Sequence, residues 1–360
     1  MIIGIDASKL LATAQTGVEI STAELIRALL KLDTDNTYWL YSAAPISGIE
    51  FNDRVKNIVV PGRRLWTLRA LSRELKQRKP DIFWSPANFL PNNLPAKAVS
   101  TIHDLAFYLY PQSYPLRARL LSLYTLRRAI KSSAKLIAVS GATKKDLKRY
   151  FNIPGENVEV IYHALRTDFA KPDIDLAASY PNLTKYFIYV GRLELRKNLP
   201  NIIRAFVEFQ KQAGEPVQLL LGGSRGFGYD RIIKLIKQLQ AENFIIVKDY
   251  LPADHLPTLY KKSLGLIFAS QYEGFGLNIL EGFAAGVPVL TSDLGAMAEV
   301  AGGAALLADP DDIDALSGGM LKLFRDQNLR QALINKGRAR LAEFSWNKSA
   351  EKLMALWKNI

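Results

Sequence analysis

The chain has 360 residues, 49% of them hydrophobic and none of them cysteine. That leaves room for two cores of ordinary size and excludes a disulfide framework, a zinc–thiolate site and a cysteine nucleophile. No apolar run reaches 18 residues and no basic-then-apolar leader opens the sequence, so neither a membrane span nor a signal peptide is expected. The formal net charge is +13 and it is unevenly placed, with 18 basic against 4 acidic residues in 61–149. Such a basic first half points to an anionic partner: nucleic acid, a membrane surface or an acidic substrate.

In chain order, MIIGIDAS predicts a first strand, followed by a loop and a helix with apolar positions at Leu25, Ala28, Leu29 and Leu32. Gly17 stands at the start of that helix, where a glycine lets backbone amides approach a phosphate or simply forms a turn. NTYWLYS and VKNIVV predict two more strands. A helix over 65–78 follows, ended by Pro80, and then a strand at DIFWSP. AVSTIHDLAF reads as a strand ending at His103 and Asp104. PLRARLLSLYTLRRAIKSS is helical, AKLIAVS is a strand and ATKKDLKRYF a helix, and NVEVIYHAL closes the first half, with His163 given no role. Strands alternating with helices imply a parallel, doubly wound sheet.

The second half begins near Tyr186 with KYFIYVGRLELRKNLPNIIRAFVEF: strand, loop and helix. Asn198 is expected to cap that helix, with Pro200 in its first turn. Arg192 and Lys197 then lie at the strand's carboxyl end, where open α/β sheets bind ligands. VQLLLGGSRGFGYD is a strand and a glycine loop without dinucleotide spacing. Residues 264–292 predict a short strand, the loop QYEGFG, a helix over 277–285 ended by Gly286, and another strand. Glu273 lies on the loop and Glu281 one turn into the helix. Each carboxylate can accept two hydroxyl donors from a vicinal diol. The amides of Phe275, Gly276 and Leu277 open the helix and favour an anion.

The pattern E-G-F-G-L-x-x-L-E-G-x-A-x-G-x-P-V, with G-R-x-x-x-x-K-N before it, resembles glycosyltransferase family 4 over most of the chain. The fold this implies is GT-B: two Rossmann-like doubly wound α/β domains facing a central cleft. The expected division is an acceptor-side domain at 1–168, a donor domain at 169–344 and a terminal helix at 345–360 crossing back to the first domain. The activity implied is a retaining, metal-independent hexosyl transfer from a nucleoside-diphosphate sugar to a glycan or lipid-linked glycan in cell-surface polysaccharide assembly. By the same resemblance Glu273 contacts the donor sugar, Glu281 holds the ribose, and the 275–277 amides contact sugar and phosphates. Arg192 and Lys197 neutralise the pyrophosphate, Gly17 abuts the donor, and His103 bonds a sugar hydroxyl and shields positive charge in the transition state. Where the family often reads N-G-[VI]-D, this chain has His163, Ala164, Leu165 and Arg166.

No cofactor or metal is expected. The D-x-D spacings at Asp33 and Asp35, Asp173 and Asp175, and Asp312 and Asp314 sit in polar turns rather than at apolar strand ends. The rival readings are an epimerase or phosphorylase of the same fold, and a non-catalytic nucleotide- or nucleic-acid-binding protein. In the 65–78 helix Arg69, Arg73 and Lys76 cluster opposite Leu68, Leu71 and Leu75, flanked by Arg63, Arg64, Arg78 and Lys79. This face is expected to dock on an anionic membrane, placing a cytoplasmic protein on the inner face of the plasma membrane, with nucleic acid the less favoured partner. The second basic helix, 116–131, has a less clean periodicity and is expected to line the acceptor cleft instead.

Overall fold

The computed structural model describes residues 1–12, 16–63, 65–167, 169 and 173–360. It divides into two compact units. The first comprises Met1–Leu109, Pro115–Arg166 and Ser345–Ile360; the second comprises Tyr110–Tyr114 and Thr167–Phe344. The expected boundary at 168 falls on Asp168, outside the described residues.

The first unit is built on β1 (Ile2–Asp6), β2 (Thr37–Ser42), β3 (Val55–Val59), β4 (Ile82–Ser85), β5 (Lys97–Ile102), β6 (Lys135–Ala138) and β7 (Val158–Val160). Their order is β3-β2-β1-β4-β5-β6-β7, and every pairing is parallel. The strands are short apolar runs because helices cover both sheet faces; Ile3, Ile5, Ile82, Phe83 and Trp84 are all buried. The order reverses between β1 and β4, so their carboxyl ends splay apart there. The terminal helix Trp346–Lys358 packs into this unit. Trp357 lies 6.2 Å from Tyr38 and 6.4 Å from Trp84 between ring centres, and Ser349 Oγ donates to the Tyr162 carbonyl at 2.6 Å.

The second unit holds β8 (Tyr186–Val190), β9 (Gln218–Gly222), β10 (Ile245–Lys248), β11 (Leu266–Phe268), β12 (Val289–Ser292) and β13 (Leu306–Ala308). The order is β10-β9-β8-β11-β12-β13, again wholly parallel, with the reversal between β8 and β11.

Three local expectations are corrected. The 65–78 helix is a π-turn over Thr67–Leu71 continued by an α-helix over Ser72–Gln77. The strand read through His103 ends at Ile102, and Ala106–Leu109 is helical. Asn198 occupies the N-cap position of helix Leu199–Ala213 but does not cap it. Its backbone is left-handed at φ 63°, a conformation asparagine tolerates, and its side-chain amide is used elsewhere. That amide donates to the carbonyls of Ala269 at 3.0 Å and Pro310 at 2.6 Å, fastening the loop after β8 to the loops after β11 and β13.

Candidate active site

In the second unit the loops after β8 and β11 leave adjacent strands, so their side chains converge at the switch point. Arg192, 60% exposed, follows Gly191, with its Nε 3.9 Å from Glu194. Lys197 Nζ donates to Glu273 Oε1 at 2.5 Å. Between them in sequence, Arg196 is only 9% exposed. Its guanidinium donates to Glu194 Oε1 and to the Tyr272 carbonyl, each at 2.8 Å, and lies 3.8 Å from Glu273 Oε2. Burial pushes the Glu273 carboxyl up, but the Lys197 and Arg196 charges reverse this and hold it below its ordinary value. Glu273 is therefore a fixed carboxylate with lone pairs left for hydroxyl donors.

The helix Leu277–Ala285 starts at Gly276, whose φ of 103° suits glycine and turns the chain sharply into the helix. The Phe275 ring is buried edge-on against Phe344 at 5.7 Å, so this residue offers a ligand its backbone only. The helix ends at Gly286 in the left-handed conformation, as the sequence predicts. Glu281 Oε2 accepts from Tyr260 Oη at 2.8 Å and from Asn278 Nδ2 at 3.3 Å. Burial, with Glu281 beside it, raises the Tyr260 phenol well above its ordinary value, so it stays a donor. The glycine loop after β9 leans on the loop after β8: a Cβ on Gly223 would meet the Gly191 carbonyl oxygen at 2.0 Å.

In the first unit Gly17 is the first residue of helix Gly17–Leu32. Glu19 accepts from the Thr16 amide at 3.1 Å and from Lys9 Nζ at 3.0 Å, anchoring the helix start. His103 lies just beyond β5, and its Nε2 donates to the Pro86 carbonyl at 2.7 Å. That assigns the free lone pair to Nδ1, which accepts from His163 Nε2 at 3.4 Å. The rings stack with centres 5.4 Å apart. Burial holds both imidazoles below their ordinary pKa, His163 the further. At the switch point of β1 and β4 a cavity of about 400 Å³ is lined by Asp6, Lys9, Trp66, Ser85 and Asn88 among others. Asp6 is buried and its carboxyl is pushed up by desolvation, partly offset by hydrogen bonds from Ser8.

The structure thus brings Arg192, Lys197, Glu273, Gly276, Leu277 and Glu281 onto one edge of the second unit, while Gly17 and His103 belong to the first. Sequence reading missed Arg196, Glu194, Tyr260 and Asn278 around the second site, and Asp6 and His163 in the first. Arg196 and Glu194 lie at variable positions of G-R-x-x-x-x-K-N, and Tyr260 is distant in sequence from the carboxylate it serves. Asp6 had a signal, a carboxylate ending an apolar strand. The D-x-D turns have structural uses. Asp33 accepts from the Asp35 and Asn36 amides and from Tyr38 Oη, Asp173 pairs with Lys261, and Asp312 caps helix Ile313–Arg325. On the 67–77 segment Arg69, Arg73 and Lys76 are exposed while Leu71 and Leu75 are buried and Leu68 is half-buried; Arg64 lies outside the described residues.

Two tandem doubly wound parallel sheets define the GT-B fold. The family described as "Glycosyl transferases group 1" matches residues 178–340, and "Glycosyltransferase Family 4" matches residues 15–169. Together with a relative at 30% identity over most of the chain, these matches place the protein in glycosyltransferase family 4. That relative is the O-antigen chain mannosyltransferase B of Escherichia coli, aligned over 83% of this chain and 77% of its own. Further relatives are aligned over 60% or less of their own length. Among solved structures, sucrose-phosphate synthase from Thermosynechococcus elongatus superposes with TM-score 0.77 at 20% identity, covering 99% and 98% of the two chains. Anabaena HepE in complex with UDP-glucose gives 0.74 at 17% identity, covering 100% and 99%. At these identities the structural likeness speaks for the fold.

Proposed function

We propose that this protein is a retaining, metal-independent hexosyltransferase that uses a nucleoside-diphosphate sugar to extend a glycan or lipid-linked glycan. The observation that carries this reading is the second-unit cluster: a carboxylate fixed by two cations, Arg192 exposed on the same loop as those cations, and a second carboxylate eight residues on, one turn into the next helix. Arg192 and Lys197 bind the diphosphate, and their charge, with the helix amides of Gly276 and Leu277, does the work a divalent ion would otherwise do. Phe275 contributes its backbone to the same anion site. Glu273 accepts hydrogen bonds from sugar hydroxyls and Glu281 from the ribose diol, with Tyr260 and Asn278 orienting Glu281. No cofactor takes part.

In the transfer step the bond between the anomeric carbon and the phosphate oxygen breaks, and the diphosphate leaves with the electron pair. The acceptor hydroxyl oxygen bonds to the anomeric carbon from the same face, and its proton passes to a diphosphate oxygen. Preplaced cations stabilise the charge that accumulates on the leaving group. His103 bonds a donor-sugar hydroxyl and the Gly17 helix start approaches the donor. His103 must exchange a present partner, Pro86 or His163, to do so. The first-unit cavity with Asp6 and Trp66 is the acceptor site in this reading.

The mannosyltransferase and O-antigen names of the relatives make mannose the first sugar to test and polysaccharide assembly the setting, and the UDP-glucose held by HepE is a second donor to try. The site of action in this reading is the inner face of the plasma membrane, where Arg69, Arg73 and Lys76 face anionic lipid. The test is thermal stabilisation by a panel of nucleoside diphosphates, since a ligand of the native state alone raises the melting temperature. Transfer assays with the matching donors follow, with and without chelator, and the product anomer is read from its coupling constants. A flat response to every nucleotide, full loss of activity in chelator, or an inverted anomer would each remove the corresponding part.

A further inference from the structure

The helix Leu116–Ser132 carries an unusual surface. Its buried side is narrow, made by Thr125, Leu126 and Ala129. On the opposite side Leu116, Leu120, Leu121 and Tyr124 are 65%, 57%, 44% and 54% exposed. Exposed leucines scattered singly are ordinary; four large apolar side chains on one helix form a patch that calls for a partner. At ~100° per residue, Leu116, Leu120 and Tyr124 fall within an arc of about 80°, and Arg127 and Lys131 fall inside the same arc. The stripe is therefore divided along the helix axis: roughly 12 Å of apolar surface, edged by exposed Arg117 at its first turn, then two basic turns. Arg127 and Lys131 are exposed, and the helix holds no carboxylate.

The neighbouring segment continues the basic half. Arg128 donates to Asn92 Oδ1 at 2.6 Å and to the Pro91 carbonyl at 2.5 Å, while Asn92 Nδ2 donates to the Leu68 carbonyl at 3.1 Å. This bridge ties helix Leu116–Ser132 to the segment bearing exposed Arg69 and Arg73.

We propose that the amino-terminal half of helix Leu116–Ser132 inserts into an anionic bilayer surface, with Arg127, Lys131 and the adjoining Arg69 and Arg73 held at the lipid phosphates. The surface assigned to electrostatic docking by the sequence is thereby only the basic margin of a larger site whose centre is apolar. Charge complementarity selects the occupant. An apolar patch bordered by cations alone matches the layering of a membrane, acyl chains beneath phosphates. A nucleic acid offers phosphates but no apolar layer beneath them. Tyr124, apolar body and polar tip, sits where the two halves meet, the depth at which tyrosine concentrates at interfaces. The inference rests on the lipid-linked acceptor reading only for its purpose; the insertion is testable without any donor or acceptor.

The absence of cysteine allows single-site labelling. Leu120→Cys, carrying an environment-sensitive fluorophore, is mixed with vesicles of phosphatidylcholine alone or with about a third phosphatidylglycerol. The expected result is a blue shift with the anionic vesicles and none for Glu242→Cys, an exposed position in the second unit. In vesicle sedimentation, Leu120→Ser with Tyr124→Ser lowers partitioning at least tenfold while leaving the remainder salt-sensitive. Arg127→Glu with Lys131→Glu removes the preference for anionic lipid. Both variants change only exposed side chains, and unchanged circular dichroism and nucleotide binding establish that they are folded. An unshifted label, undiminished partitioning of the serine variant, or a concentration-dependent dimer that these substitutions abolish overturns the proposal, the last by naming a second copy as the occupant. Vesicle binding without nucleotide binding would count against the glycosyl-transfer reading and leave this one standing.

Discussion

The two sheets share one topology, and each opens a switch point at its order reversal, yet the two openings differ in kind. At β8 and β11 the groups are charged and already paired: Lys197 and Arg196 on Glu273, and Arg196 on Glu194. At β1 and β4, and at the β5 end beside them, burial works toward neutrality. It pushes the Asp6 carboxyl up and both imidazoles down. Groups shifted toward neutrality by burial can exchange hydrogen bonds with hydroxyls, whereas a standing array of cations suits an ionic partner. The same fold thus supplies one edge of paired charges and another where burial shifts its titratable groups toward neutrality.

The largest expected effect breaks the charged side. Arg196→Ala leaves Glu194 and Glu273 without their buried guanidinium, and losing one partner of a buried pair costs about 3–5 kcal/mol. Denaturant unfolding of the variant reads this directly. Arg192 provides the contrast, because its side chain is 60% exposed and reaches Glu194 only at 3.9 Å, at the limit of an ion pair. Arg192→Ala is expected to leave stability within about 0.5 kcal/mol while weakening nucleoside diphosphate binding by about 1.5–3 kcal/mol, the range for hydrogen bonds to charged groups. Calorimetry showing unchanged affinity would remove the phosphate role. A stability loss equal to that of Arg196→Ala would erase the distinction between supporting and ligand-facing cations.

A smaller effect separates the two carboxylates. Glu281→Gln is expected to weaken the free nucleotide by about 1–3 kcal/mol, since the amide offers one accepting oxygen where the carboxylate offers two and Tyr260 loses a charged acceptor. Tyr260→Phe should reproduce part of this loss, about 0.5–1.5 kcal/mol, by unfixing Glu281. Glu273→Gln is expected to spare nucleotide affinity and lower turnover. Equal nucleotide losses for the two glutamine variants would show that the division is wrong.

Most of the charged side was legible in the sequence because it is local. G-R-x-x-x-x-K-N places its cations on one loop, and E-x7-E runs from the next loop into the helix that follows it, so short spacings carry most of the cluster. The doubly wound sheets were legible for the same reason, strand and helix periods alternating along the chain. What escaped was assembled across the fold. Arg196 looks like any loop arginine until Tyr272 and Glu194 enclose it. Asn198 reads as a cap by its position, yet with its left-handed backbone its side chain ties three loops together through Ala269 and Pro310. His163 is 60 residues from His103, and only the adjacency of strands β5, β6 and β7 brings them to 3.4 Å. The apolar stripe of helix Leu116–Ser132 was hidden because its exposed leucines fit the helical period that usually marks a core.

The last prediction concerns the neutral side and is the smallest at neutral pH, where both imidazoles are already uncharged. Their folded pKa values are depressed by burial, so the unfolded chain binds protons more readily than the native one as pH falls. The stability they contribute is complete above the unfolded value of about 6.5 and is lost as pH drops from there toward the folded values. Each histidine can contribute a slope of up to about 1.4 kcal/mol per pH unit in that window, so the wild type should weaken between about pH 6.5 and 5. The geometry adds a second readout. His103 Nδ1 accepts from His163 only while it is unprotonated, and protonating both rings sets like charges face to face. His163→Phe keeps a ring for the stacking and removes one titrating group, so its unfolding free energy should be flatter across this window. His163→Asn at the same position restores a donor to Nδ1 without a titrating group and should be equally flat, with activity nearer that of the wild type. Wild-type stability that does not change between pH 7 and 5 would mean that the pair is solvated and titrates normally, and the contrast between a charged and a neutral edge would lose its basis in the first unit.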